Sequence, residues 1–344
     1  MTSGPRAHAD IDDLIAQPVA DVVEHAASAV DPGLLGAVDP GMGVDSLVAP
    51  ALSAAAAGSL TTASVPLHVE ADTEPVVDIS VAGGSPVPVV IDTGSTGLVI
   101  PWYELGAQNI GWPTGMGVGG YSGGMGYFYV TLPTTVSFGP DTATGADIVT
   151  APTAVDVVLF TWPMSFQAFF APTDIAGVLG IGSNAGPGPS SVLTALPGDL
   201  SRGVLIDQPG GTLQFGPNPL TDGITLGGAP SAFTLVSING GPTHAVSTYM
   251  DSGGVYGTVP QSVFGGNVGD TLPPGTTISV YTMAGQPIYS YAVDATNAPT
   301  IASTSTMNSG NVPFAMQPVY IGNGGNGTTI FDSCAGIAGF CTAV

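Results

Sequence analysis

Lysine is absent from this chain of 344 residues, and arginine occurs only at Arg6 and Arg202. The net charge of −23 therefore reflects missing bases rather than acidic runs. Phosphate-backbone binding needs clusters of Lys and Arg, so nucleic acid is excluded as a partner. An anionic membrane surface is excluded for the same reason. Cysteine is scarce as well: Cys334 and Cys341 stand alone near the C-terminus. Their spacing matches neither a redox CxxC nor a zinc site, and a local disulfide and a reduced buried pair both remain open. The four histidines, His8, His25, His68 and His244, are scattered without HExxH spacing, so no metal and no cofactor is expected. No stretch of ~20 residues is apolar without Gly, Pro or Asp, so membrane insertion is not expected. The opening MTSGPRAHADIDD has no apolar core of a signal peptide, which puts any export signal outside this chain.

What is abundant points to strands. Only 8% of residues are charged, while Gly (51) and Pro (31) punctuate runs of Val, Thr and Ile. Many short strands joined by tight turns produce that profile, and the expected class is all-β. The length allows two lobes. Residues 1–61 read differently, with helical spacing at Ile11/Leu14/Ile15 and Val19/Val22/Val23/Ala26 and a linker-like SAAAAGSL. A spacer is the reading favoured there over a pro-segment covering a site. β patterning begins near residue 62, and a boundary near 225 divides it into lobes at 62–225 and 226–344.

Two stretches carry chemistry. PVVIDTGSTGLVIP sets Asp92 inside an aliphatic run, and STYMDSGGVYGTVP repeats the arrangement at Asp251. An unpaired carboxylate in a buried strand is costly, so its presence twice asks for a functional reason. Each half also holds an apolar-apolar-Gly element, Val178-Leu179-Gly180 and Tyr320-Ile321-Gly322. Two carboxylates ~3 Å apart cannot both ionise comfortably and share one proton. Such a pair activates water without a covalent intermediate, metal or cofactor.

With these motifs the sequence resembles the pepsin-like aspartic proteases over roughly residues 62–344. The resemblance implies a bilobal all-β fold with pseudo-twofold symmetry and a cleft between the lobes, each acidic loop braced by its own half's apolar-apolar-Gly strand. TDIAGVLGIG resembles the first lobe's apolar-apolar-Gly segment, and VYIGNGGNGTTIFDSCAGIAGF resembles the family's closing pattern. Within that family the Gly/Ala richness, missing lysine and spacer-like start resemble the protease domains of mycobacterial PE and PE-PGRS surface proteins. The resemblance implies Asp92 and Asp251 as catalytic residues. Thr93 and Ser252 are implied to bond across the lobe interface, with Ser95 supporting its neighbouring carboxylate. Gly94 and Gly253 let the backbone turn tightly and approach the carboxylates. Tyr121, in the Gly-rich MGVGGYSGGMGYFYV, is the expected flap tyrosine.

A monomer acting on an extended polypeptide follows, secreted or at a bacterial cell surface, with bacterial surface proteins as implied substrates and self-processing included among them. Two departures stand out: Val99 occupies the family's Trp position, and Gly254 the position of a hydroxyl residue after the second Asp-Ser-Gly. Gly254 supports a rival reading as a protease-like module that grips peptides without cutting. A further rival is a serine hydrolase, since Gly120-Tyr121-Ser122-Gly123-Gly124 matches G-x-S-x-G and His244 follows in the chain.

Overall fold

The computed structural model describes residues 60–186 and 188–332. Most of the 1–61 segment, Cys334, Cys341 and the closing Gly-Phe lie outside the described residues. Three sheets organise the rest. A ten-stranded sheet is built from residues 68–181, and a seven-stranded sheet from residues 231–308. A six-stranded sheet joins them, drawing Ala63–Pro66, Gly203–Asp207, Thr212–Phe215 and Ile224–Gly227 from the first part of the chain and Val319–Gly322 and Thr328–Phe331 from the last. The boundary read at 225 thus falls inside a strand of the shared sheet. Among the described residues no helix is long and apolar enough to cross a membrane.

The aliphatic run before Asp92 forms the strand Val87–Asp92, buried over its last four residues. It is central, with Glu74–Val81 antiparallel on one side and Gly177–Ile181 parallel on the other. Both faces are covered, which is why the run is continuous rather than alternating. Gly177–Ile181 also pairs antiparallel with Thr96–Pro101. It therefore threads between the two strands that enter and leave the Asp92 loop, with Gly180 opposite both Asp92 and Gly97. A Cβ on Gly180 would lie 2.6 Å from the Thr96 backbone, so the glycine ending this apolar segment is a requirement of close strand passage.

The second half repeats the device with a different segment. Thr306–Asn308 runs parallel to Thr243–Tyr249 and meets Thr258–Pro260 at Thr258. It is this strand, followed by Ser309-Gly310, that braces the Asp251 loop. Tyr320-Ile321-Gly322, expected in that role, sits elsewhere: Val319–Gly322 pairs with Gly203–Asp207 and Thr328–Phe331 in the shared sheet. The physical reason is burial. Ile321 is fully enclosed in the central core, and Tyr320 donates its hydroxyl to Gly216 O at 2.9 Å.

Gly115–Tyr121 and Met125–Thr134 form a hairpin over the stretch read as the flap, closed by Ser122, Gly123 and Gly124. Gly123 and Gly124 take φ of +112° and +89°, a conformation other residues rarely adopt. Ser122 is exposed on this hairpin tip and is followed by a strand rather than a helix. His244 is exposed on a strand of the seven-stranded sheet. No nucleophile elbow is built, which removes the support for a serine hydrolase.

Candidate active site

The two acidic loops meet at the junction of the halves through four buried hydrogen bonds. Thr93 N–H donates to Ser252 Oγ at 3.1 Å, and Ser252 N–H donates to Thr93 Oγ1 at 2.8 Å. Each hydroxyl in turn donates to the opposite loop, Thr93 Oγ1 to Met250 O and Ser252 Oγ to Ile91 O, both at 2.6 Å. Thr93 and Ser252 are fully buried, so every one of these polar groups is satisfied without solvent. Both side chains act as donor and acceptor at once, which is why a hydroxyl residue follows each Asp.

The carboxylates are oriented locally by their own loops. Gly94 N–H donates to Asp92 Oδ1 at 2.7 Å, and Gly253 N–H to Asp251 Oδ1 at 3.2 Å. The glycines also clear space across the interface. A Cβ on Gly94 would stand 2.5 Å from Asp251 Cγ, and one on Gly253 2.9 Å from Asp92 Cγ. Neither glycine has a positive φ, so close approach of the opposite carboxylate, not the turn, is what demands them.

Asp92 is buried and Asp251 is partly exposed. Burial and then the Asp92 charge push the Asp251 carboxyl well above the usual carboxylate range, against the opposing hydrogen bonds from Asn308 and Gly253. Ser95 does not play its expected part: its Oγ is buried and meets no hydrogen-bond partner.

Tyr121, within electrostatic reach of Asp92, packs against Tyr127, Phe169 and Phe166, with ring centroids 5.4, 6.2 and 6.4 Å away. Burial, Tyr127 and Asp92 all raise its phenol well above 10, so it stays neutral. Tyr127 is pushed to about 12, chiefly by burial. Val99, at the position where a Trp was expected, lies in the same buried cluster as Tyr127. The flap glycines also have packing roles. A Cβ on Gly119 would lie 2.5 Å from the Tyr127 ring, and one on Gly117 2.7 Å from the Tyr129 hydroxyl.

Three residues of the site were not foreseen. Asn308 donates from Nδ2 to Asp251 Oδ2 at 2.6 Å, and Ser309 Oγ accepts from Asp251 N–H at 3.1 Å. Asp156, buried beneath the flap, accepts from Thr131 Oγ1 at 2.7 Å and is raised by desolvation. Only the last had a sequence signal, a lone carboxylate in the apolar run TAVDVVLF.

The chain that builds this site has counterparts among known proteins. Residues 63–330 match the PE-PGRS C-terminal aspartyl peptidase-like domain. Similar proteins include PE cleavage protein A of Mycobacterium tuberculosis (strain H37Rv), 43% identical over 297 residues, covering 78% of this chain and 51% of that protein. PE cleavage protein A of Mycobacterium marinum is 46% identical over 297 residues, covering 78% of this chain and 52% of its own length. The chain thus spans about half the length of these curated relatives. With the family match extending over nearly all the described residues, and with two relatives above 40% identity, the chain belongs to the PE-PGRS C-terminal aspartyl peptidase-like family, an all-β, protease-type domain.

Proposed function

We propose that this chain is an aspartic endopeptidase that hydrolyses peptide bonds with a water activated by Asp92 and Asp251. The observation that carries the reading is the reciprocal Thr93–Ser252 bridge, which sets each carboxylate against the other loop's glycine. A chain that used its aspartates only as turn formers would gain nothing from such a bridge.

Burial and then the Asp92 charge raise the Asp251 carboxyl, and the mechanism assigns the proton to it. Asp92 then takes a proton from water as it attacks the carbonyl carbon, and Asp251 donates its proton to the carbonyl oxygen, giving a neutral tetrahedral diol. Collapse of the diol returns a proton to the leaving amine, and no covalent enzyme intermediate forms. The partner is an extended polypeptide, hydrogen-bonded strand-like in the cleft and covered by the Tyr121 hairpin. Tyr121, Phe166 and Phe169 give the flap side an aromatic lining, which favours apolar residues next to the scissile bond.

The name of the relatives is PE cleavage protein A. PE-type surface proteins are therefore the proposed substrate class, including the region upstream of this domain, with the enzyme acting as a secreted or surface-held monomer. The internal repeat supports the monomer, since one chain supplies both aspartates. A peptide library incubated from pH 3 to 7 with wild type, Asp92→Asn and Asp251→Asn tests the assignment. Cleavage lost in both variants is expected. Retention in either sinks the mechanism, and binding without cleavage by wild type favours the module that grips peptides.

A further inference from the structure

Gly254 leaves Asp251 without a hydroxyl neighbour, yet the outer oxygen of this carboxyl is occupied. Asn308 Nδ2 lies 2.6 Å from Asp251 Oδ2. The orientation of the amide is fixed from behind, because Gly310 N–H donates to Asn308 Oδ1 at 2.8 Å and only the oxygen can accept there. The strand itself is pinned. Ser309 N–H donates to Tyr249 O at 2.9 Å, and Ser309 Oγ accepts from Asp251 N–H while donating to Gly310 O. The arrangement also excludes its alternative. A Cβ at position 254 would stand 2.6 Å from Asn308 Oδ1 and 2.8 Å from Asp251 Oδ2. A side chain at 254 and an amide at 308 compete for one space.

We infer that Asn308 is a positioning residue for Asp251, its amide standing where Gly254 omits a hydroxyl and confining the Asp251 proton to Oδ1. The inference rests on the dyad reading of Asp92 and Asp251. An amide nitrogen donates and cannot accept, whereas a hydroxyl can turn and do either. The Asn308 bond to Oδ2, at 2.6 Å, is shorter than the Gly253 bond to Oδ1, at 3.2 Å, and a carbonyl oxygen accepts better than a hydroxyl oxygen, so the proton sits on Oδ1 and the acid that protonates the substrate carbonyl has one defined donor atom. Gly253 N–H, the other group on Oδ1, is a donor too and can remain bonded to a hydroxyl oxygen. Asp92 is the charged group acting on Asp251; Asn308, Ser309, Gly94 and Gly253 around it are neutral.

Removing the donor destabilises ionised Asp251, so its titration moves upward. In Asn308→Ala the alkaline limb of the pH–rate profile is expected to rise by roughly one unit, with kcat down on the order of tenfold and KM little changed. Asn308→Asp keeps the shape and the Gly310 bond but puts an acceptor against Oδ2, and loses more activity than Asn308→Ala although it folds alike. Gly254→Ser is deleterious alone and costs less in the Asn308→Ala background, where the amide its Cβ would meet is gone and only the Asp251 carboxyl has to shift. An Asn308→Ala profile superimposable on wild type overturns the inference, as does a double variant showing the product of the two single losses. The Asp251 carboxyl 13C titration in wild type and Asn308→Ala needs no turnover. An upward shift in the variant supports the role of Asn308 even where cleavage survives Asp92→Asn and the dyad reading fails, and an unmoved titration refutes it.

Discussion

Replacing Thr93 with valine removes one oxygen and almost no volume, and isolates what the bridge between the loops contributes. The hydroxyl accepts from Ser252 N–H and donates to Met250 O, so Thr93→Val orphans one buried donor and one buried acceptor. Each unsatisfied buried group costs about 1–3 kcal/mol, which puts the loss at about 2–6 kcal/mol where water does not enter. Ser252→Ala orphans a different pair, Thr93 N–H and Ile91 O, and belongs in the same range. The double variant costs less than the sum, because water reaches the interface once the loops part. Urea unfolding monitored by tryptophan fluorescence measures this as a change in midpoint at constant slope. Catalysis falls further than stability, since the bridge levels the carboxylates. A Thr93→Val loss below about 0.5 kcal/mol, the scale of an ordinary surface change, refutes the claim that the bridge holds the site.

Other perturbations bear on separate parts of the account. Asp141 is buried, and although burial alone would raise it, bonds from Thr144 Oγ1, Ser64 N–H and Thr144 N–H hold it below the usual carboxylate range. Its contribution is present above the unfolded value of about 4 and lost as pH falls through the lower folded value; Asp141→Ala costs about 1–3 kcal/mol at pH 7, narrowing toward acid, in denaturant titrations at both pH values. Asp251 has the opposite sign: its folded value is raised, so stability falls as pH rises from about 4 through that value. Asp251→Asn therefore melts above wild type at pH 7 and converges with it near pH 3, and a lower melting temperature at pH 7 contradicts the assignment. Gly180→Ala drives a Cβ to 2.6 Å from Thr96 backbone atoms and costs about 1–3 kcal/mol in urea unfolding; a neutral substitution refutes the close strand passage.

The parts of this architecture written locally were legible in the sequence. Asp92 and Asp251 stand out because a charge inside an aliphatic strand is unusual, and Gly180 because it ends an apolar segment that must pass a backbone. The second bracing strand was not legible. Its residues Met307, Asn308 and Ser309 are mostly polar because Asn308 and Ser309 bond Asp251 instead of packing, so the apolar segment nearer the C-terminus took its place in the reading. The shared sheet was equally hidden, since Ala63–Pro66, Thr212–Phe215 and Thr328–Phe331 look like ordinary strands and their assembly depends on chain reversals over long separations. Tyr127 escaped notice because its place in a buried cluster with Val99 is a relation between strands rather than a motif. Ser95 shows the converse, a residue matching the expected pattern whose hydroxyl makes no bond.

The central claim, that two aspartates share one proton and activate water, is tested most directly by the pH dependence of kcat/KM on an apolar peptide, measured for wild type, Asp92→Asn and Asp251→Asn. The account predicts a bell bounded on the acid side by protonation of the pair and on the alkaline side by loss of the Asp251 proton, with turnover abolished in both variants. Activity that climbs steadily with pH, or that survives replacement of either aspartate, contradicts it.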